Sequence, residues 1–193
     1  SYLLGNEVGN YYRTNDIEII PDYFIEGLID GLQNKGKMDD QTKQKVMAQF
    51  QIIQQEKSNK QLQLTKDKGK QFLENNKKNP DVKVTASGLQ YKVVRAANGV
   101  SPNANDKVKV HYHGTLIDGT VFDSSVERGE PITFGLNQVI KGWTEGLQLM
   151  KTGEKFIFYI PSELGYGDRA AGPKIPGGST LIFEVELFEV NPK

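Results

Sequence analysis

From Asp39 or Asp40, either of which can cap a helix, the chain runs to about Asn76 without a proline, and Pro80 then makes a sharp stop. A continuous helix over that stretch is roughly 55–60 Å long at 1.5 Å per residue, so it separates whatever precedes it from whatever follows. Its apolar residues are dense at first, at Val46, Met47, Phe50 and Ile53. They thin to Leu62 and Leu64 and return as Phe72 and Leu73, with glutamine, lysine and asparagine between. No heptad is kept, which argues against a continuous coiled coil. An exposed connecting rod, buried only at its ends, fits the pattern better.

Ahead of the rod lie two short helical segments. Leu4, Val8 and Tyr11 recur at helical spacing between Ser1 and about Tyr12, and a turn follows through Thr14-Asn15-Asp16. Pro21 suits the first turn of a second helix, with Phe24, Leu28 and Leu32 as its apolar face and Gly36 marking its end. Gly5/Gly9 and Gly27/Gly31 are each spaced four apart. Glycine costs helix stability, so these are either sites of close helix–helix approach or merely tolerated. Two short helices build little core, yet this segment carries apolar and aromatic side chains that need covering. Homodimerisation through residues 1–50 accounts for both.

Beyond the rod the periodicity changes. Leu89, Tyr91 and Val93 alternate as a strand, and Val108, Val110 and Tyr112 do so again after the turn-rich 98–106 stretch. Asp118-Gly119 is a hairpin signal, followed by short strands at Thr120 to Phe122 and Pro131 to Phe134. Glu154 to Ile160 and Ser179 to Val190 supply two more, the last with Leu181, Phe183, Val185 and Leu187 on one face. Among these strands Val139, Trp143 and Leu147 fall at i, i+4 and i+8, the spacing of a short helix that needs tertiary contact to persist. The lone tryptophan is either the floor of a pocket or the centre of a core. The sum is an α+β protein: a domain of about 110 residues in which an antiparallel sheet closes on one short helix, preceded by an all-helical segment and a long linking helix.

Composition removes several classes of function. With no cysteine there is no disulfide, thiol catalysis or cysteine-bound metal, and two histidines are too few for the usual zinc centre. No apolar run is long enough to span a membrane. The formal charge is zero, but residues 1–36 carry six acids against two bases, and residues 37–80 carry ten lysines against five acids. A solvated lysine-rich helix explains the second bias without nucleic acid. The start at Ser1 suggests a processed or trimmed N-terminus, from which a signal peptide or lipid anchor would have been lost.

Catalytic machinery of the ordinary kinds is scarce. Ser162 and Ser179 have no obvious base, no carboxylates are convincingly paired and no glycine-rich phosphate loop is present. His111 and His113 share one side of a strand, where facing solvent is a simpler reading than binding a metal. What remains is a set of aromatics from separate segments, Tyr112, Phe122, Trp143, Tyr166 and Phe183, with Asp123 beside Phe122. An apolar pocket with a convergent carboxylate and hydroxyl recognises a ligand, or acts by desolvation and shape.

Five motifs then occur in order: Val110-His111-Tyr112, Gly119-Thr120-Val121-Phe122-Asp123-Ser124, Val139-Ile140-Lys141-Gly142-Trp143, Gly165-Tyr166-Gly167 and Leu181-Ile182-Phe183-Glu184-Val185. Over about residues 88–190 they resemble the FK506-binding (FKBP-type) peptidyl-prolyl cis/trans isomerases. Ser1-Tyr2-Leu3-Leu4-Gly5, an Asp30-Gly31 turn, the long helix and Ser87-Gly88-Leu89-Gln90-Tyr91 are similar to the macrophage infectivity potentiator (Mip) subfamily of Gram-negative bacteria. The resemblance implies helices 1–36 as a dimerisation segment, residues 37–80 as a long helix with dimer contacts at its start and an exposed rod beyond, and 81–193 as the catalytic domain. It implies a V-shaped homodimer, export to the periplasm or outer membrane, proline-containing polypeptides as substrates, macrolides of the FK506 and rapamycin type as inhibitors, and no metal or other cofactor.

It also implies roles in the site. Trp143 becomes the floor under the substrate proline, Tyr112, Phe122 and Phe183 its walls, with Val139 and Ile140 alongside. The Ile140 N–H and the Tyr166 hydroxyl would donate to ligand carbonyls, Asp123 would accept from Tyr112 or the ligand, and Ile175 would be an apolar flap residue. Ile132 stands where the family often has an aromatic, which leaves one wall narrower, and the loop Ala170 to Gly178 departs from several relatives in length and charge. The implied reaction is rotation about a Xaa–Pro bond, which takes tens to hundreds of seconds uncatalysed, helped by a pocket that binds the twisted amide best. A prolyl-binding chaperone with little catalysis and a dimeric surface scaffold are the competing classes.

Overall fold

The computed structural model describes residues 1–15 and 17–192; the expected turn at 14–16 lies partly outside them. The chain divides into two compact units, residues 1–54 and the rest.

In the first unit α1 (Tyr2–Thr14) and α2 (Pro21–Leu32) precede the start of α3 (Asp40–Asn76). Pro21 does open α2, and the Asp39 carboxylate accepts from the Thr42 N–H as the cap of α3. Asp30 and Gly31 lie inside α2 rather than in a turn. The helix also stops at Leu32, before Gly36, because Asn34 takes the left-handed conformation (φ 53°) and the Gln33 and Asn34 N–H groups close on Ile29 and Gly31. Tyr12 meets Phe24 edge to face at 5.5 Å. No side chain of α1 or α2 is buried.

The second unit is a seven-stranded antiparallel sheet. Strands β1 (Val82–Val84), β2 (Gln90–Arg95), β6 (Lys155–Ile160), β7 (Leu181–Val190), β3 (Lys107–Leu116) and β4 (Val121–Ser124) follow in that spatial order, and β5 (Ile132–Gly135) also pairs with β3. Along β3 and β7 burial alternates as period two requires, so Val108, Val110 and Tyr112 face the same core as Leu181, Phe183, Val185 and Leu187. The Asp118-Gly119 turn is a three-residue loop: Gly119 is left-handed (φ 87°), its N–H bonds to Leu116, and the Leu116 N–H bonds to Thr120. β1 and the single turn α4 (Ser125–Arg128) are too short to leave a periodic signal.

Helix α5 (Lys141–Gln148) is the one the sheet closes on. It begins after Val139 and Ile140, which are extended (ψ 176° and 149°), so Val139 precedes the helix instead of sharing its face. Trp143 and Leu147 are buried as expected. Gly142 and Gly146 let it lie directly on β6: a Cβ at either would stand 2.6 Å from Ile160 or 2.7 Å from Phe158. That close seat sets the height of Trp143 in the core.

The C-terminal half of α3 belongs to this unit and is not a bare rod. Leu62, Thr65, Lys66, Gly69, Phe72, Leu73 and Asn76 are all covered to some degree, at spacings of three and four that make one helical face. Gln90, buried in β2, accepts from the Asn76 amide (2.9 Å) and donates to the Leu73 carbonyl (3.0 Å), tying down the helix end. Phe72 packs on Tyr159, ring centroids 6.0 Å apart.

Candidate active site

Two adjacent residues of β4 point into one cavity, which regular pleating forbids. The β3–β4 register explains it. Gly114 pairs with Asp123 and Thr115 with Val121, leaving Phe122 as an extra residue. This bulge re-aims the strand, so Phe122 and Asp123 both line the cavity. Gly114 completes the arrangement, because a Cβ there would lie 2.7 Å from Phe122 and 2.9 Å from Phe183. Their rings instead meet edge to face at 5.3 Å.

The cavity has a volume of about 640 Å³ and brings together Tyr112, Phe122, Asp123, Ile132, Val139, Ile140, Trp143, Tyr166, Ile175 and Phe183. The indole of Trp143 is boxed by Tyr112 (5.2 Å), Phe183 (5.0 Å) and Phe134 (5.2 Å). Its Nε1–H is buried and has no acceptor among the described residues. An orphaned donor of this kind is costly, and being out of reach of solvent it is closed to a ligand too. Phe134, two residues after Ile132, supplies the aromatic surface of β5. A strand-spacing argument could have found it.

The polar side is a three-residue network. The Tyr112 hydroxyl donates to Asp123, and Arg128 donates both to Asp123 and to the Tyr112 hydroxyl (2.9 Å). Arg128 comes from α4, whose turn is set by the Ser124 hydroxyl accepting from Glu127 (3.2 Å), and its guanidinium lies 5.7 Å from the Tyr112 ring centroid. Burial would raise the Asp123 carboxyl, but the hydrogen bonds from Tyr112 and Arg128 and the arginine charge outweigh it and hold the carboxyl below its ordinary value. Burial, then the bond to Asp123, pushes the Tyr112 hydroxyl up. Tyr112 therefore remains a donor and Asp123 an anion at neutral pH.

Two residues lining the cavity, Ile140 and Tyr166, each carry a donor with no partner among the described residues. No hydrogen bond among the described residues uses the Ile140 N–H, although the Ile140 carbonyl accepts from Trp143 and Thr144 at the start of α5. The Tyr166 hydroxyl is likewise free of hydrogen bonds to the described residues, and its acidity is lowered by burial and then by the Asp123 charge. Ile175 is buried and closes the far side through the Ala171 N–H···O=C Ile175 bond (2.9 Å). Lys174 donates to the Val121 carbonyl (3.1 Å) and so pins this loop to β4.

His111 and His113 are not simply solvent-facing. Their Nδ1 atoms hydrogen-bond with Ser125 (2.9 Å) and Ser124 (3.0 Å), which places them as supports of α4. No cluster of three potential metal ligands occurs among the described residues.

The match to known proteins covers both units. Residues 99–188 fit the FKBP-type peptidyl-prolyl cis-trans isomerase domain, and residues 1–93 the domain amino terminal to it. An FKBP-type isomerase, FkpA, from Aeromonas hydrophila is 44% identical over 98% of this chain and 74% of its own length. The chain belongs to the FKBP-type peptidyl-prolyl cis-trans isomerases. This isomerase is also 41% identical to the outer membrane protein MIP of Legionella longbeachae, over 98% of this chain and 84% of the relative. The crystal structure of FkpA from Escherichia coli aligns with 99% of this isomerase and 94% of that chain, with a TM-score of 0.81 at 41% identity. AtFKBP13 aligns with 56% of it and 97% of that chain, with a TM-score of 0.53 at 40% identity.

Proposed function

We propose that this isomerase turns Xaa–Pro bonds within the 640 Å³ aromatic cavity, and that it does so without a covalent intermediate. The observation that carries this reading is the box of rings around Trp143 beside two unengaged donors. The proline ring rests on the indole, between Tyr112, Phe122 and Phe183. Conjugation makes the planar amide the stable form and sets the barrier. Leaving water for an apolar cavity disfavours the charge-separated planar form more than the twisted one, in which carbonyl and nitrogen are less conjugated. The Ile140 N–H and Tyr166 hydroxyl hold the carbonyls of the flanking residues, so the substrate enters close to the geometry of the transition state. Asp123, fixed by Tyr112 and Arg128, orients the polar wall. No proton is transferred. The same surface suits macrolides of the FK506 and rapamycin type, which would compete with peptide.

Residues 1–36 and the start of α3 would form a homodimer, leaving 37–80 as the linking helix and 81–193 as the catalytic domain. Ile25, Leu28, Ile29 and Leu32 are exposed along α2, and Val46, Met47 and Phe50 along α3. A Cβ at Gly5, Gly9, Gly27 or Gly31 would meet nothing within 4 Å, so any close approach that offsets these glycines comes from another chain. A dimer presents two cavities to one unfolded polypeptide. Among the described residues no helix is long and apolar enough to cross a membrane. The relative named as an outer membrane protein supports export, to the periplasm or to the outer membrane.

The test is protease-coupled cis-to-trans isomerisation of a proline peptide by the full chain, with and without macrolide. Activity abolished by macrolide supports the cavity. Activity that saturating macrolide leaves intact would refute it, and macrolide binding without activity would leave a prolyl-binding module.

A further inference from the structure

The loop between β6 and β7, residues 161–180, carries Tyr166 and Ile175 into the cavity, and its base rests on α3. Its two arms are tied together where the Gly178 N–H bonds to the Gly167 carbonyl (2.9 Å), one residue from Tyr166. At that tie Gly178 is left-handed (φ 76°), and a Cβ there would stand 2.8 Å from Lys66 Cγ and 2.9 Å from Leu62 Cδ1. Lys66 Nζ reaches Asp168 at 2.5 Å, two residues past Tyr166. One turn along the helix, Gly69 has no room for a side chain against Thr180, the residue that leads into β7. Three positions on one face of α3 thus touch the loop at its tie, on its Tyr166 arm and at its exit.

We propose that Leu62, Lys66 and Gly69 of α3 are positioning residues for the isomerase site, fixing the Tyr166 and Ile175 side of the cavity. This rests on the cavity being the site of reaction. The loop is rich in glycine and proline; Lys174 pins its tip to β4 and one Ala171–Ile175 bridge ties that tip internally, while the Tyr166 arm and the base rest on α3. Without the helix face the Tyr166 hydroxyl would be placed less accurately for a ligand carbonyl, while Trp143 and the core beneath it would stay where α5 and β6 put them.

The full-length chain would be made with Leu62→Ala, Lys66→Glu, Asp168→Lys and the Lys66→Glu/Asp168→Lys pair, beside Phe183→Ala. Peptide KM, kcat and macrolide Kd would be measured well below the unfolding temperature. Each charge reversal should raise KM and macrolide Kd by about 2- to 5-fold, with kcat and the emission of Trp143 nearly unchanged. The swapped pair should return both to the parent values, which a general loss of stability would not do. Leu62→Ala should raise KM by at least about 3-fold. Parent-like KM and Kd in Leu62→Ala and both charge variants, with Phe183→Ala inactive, would overturn the positioning role and leave the cavity standing. Full activity in Phe183→Ala would instead remove the cavity, and the positioning role with it.

Discussion

The first fifty-four residues and the remainder solve burial in opposite ways. The sheet unit encloses Leu89, Leu136, Leu147, Phe158, Val185 and Leu187 so fully that all six are out of solvent altogether. The helical unit buries no side chain of α1 or α2 and leaves Tyr2, Leu4, Ile25, Leu28 and Leu32 exposed. Helices this short gain most of their stability from packing an apolar face. On the proposed dimer the first unit takes its packing partner from a second copy of the chain, whereas the second unit carries its partner within.

The harshest way to break this contrast is to put charge on the open face. Ile25→Glu with Leu28→Glu should raise the dimer dissociation constant by about 100-fold or more and reduce helicity. Sedimentation velocity over a dilution series checks it, and an unchanged sedimentation profile would show that the face is not an interface. Turnover of a short peptide should stay within about 2-fold of the parent, because no residue of α2 lines the cavity and sites that share no partners act independently. A second comparison sharpens the contrast by truncating one residue in each unit. Phe158→Ala should cost about 3–5 kcal/mol in urea unfolding. Leu28→Ala, in chains dilute enough to be monomeric, should cost under about 0.5 kcal/mol.

A comparison inside the sheet unit separates its core from its site. Asp123→Leu should lower kcat/KM by about tenfold with little change in unfolding midpoint, since the Asp123 and Arg128 side chains are about half exposed (45% and 50%). Because the Asp123 carboxyl is held below its ordinary value, its contribution is complete above about pH 4 and is lost as pH falls through that lower value. Tyr112, raised, keeps its proton past pH 10. Peptide turnover should accordingly be flat from about pH 5 to about pH 9. An acid limb near pH 6 would place a different titrating group in the site.

The legible parts of the fold were those where burial follows a fixed period. Val108, Val110 and Tyr112 on β3, and Leu181 to Leu187 on β7, show their core face directly in the alternation. What stayed hidden was whatever breaks a period or is covered by residues that are not apolar. The docked face of α3 includes Thr65, Lys66, Gly69 and Asn76, so a hydrophobic count passes over it and leaves an apparent rod. Arg128 escaped because α4 is one turn long and its guanidinium matters only once the chain has folded back beside Tyr112. All ten residues expected around the site do line one cavity, but strand alternation gave no ground for Phe122 and Asp123 entering it together, since it would have sent one of them outward.

The bulge at Phe122 makes the site sensitive to arithmetic. Each residue added to or taken from a strand exchanges its two faces, and β4 carries one uncompensated count between Val121 and Asp123. Deleting a residue from the Ile117 to Gly119 loop offers β4 a way to regain even numbering by absorbing the bulge, which would turn the ring of Phe122 away from Phe183. Substitutions in that loop leave the count alone. Homologous chains that catalyse through this wall should therefore vary the letters of the loop more freely than its length, and a change of length there should travel with a shifted bulge.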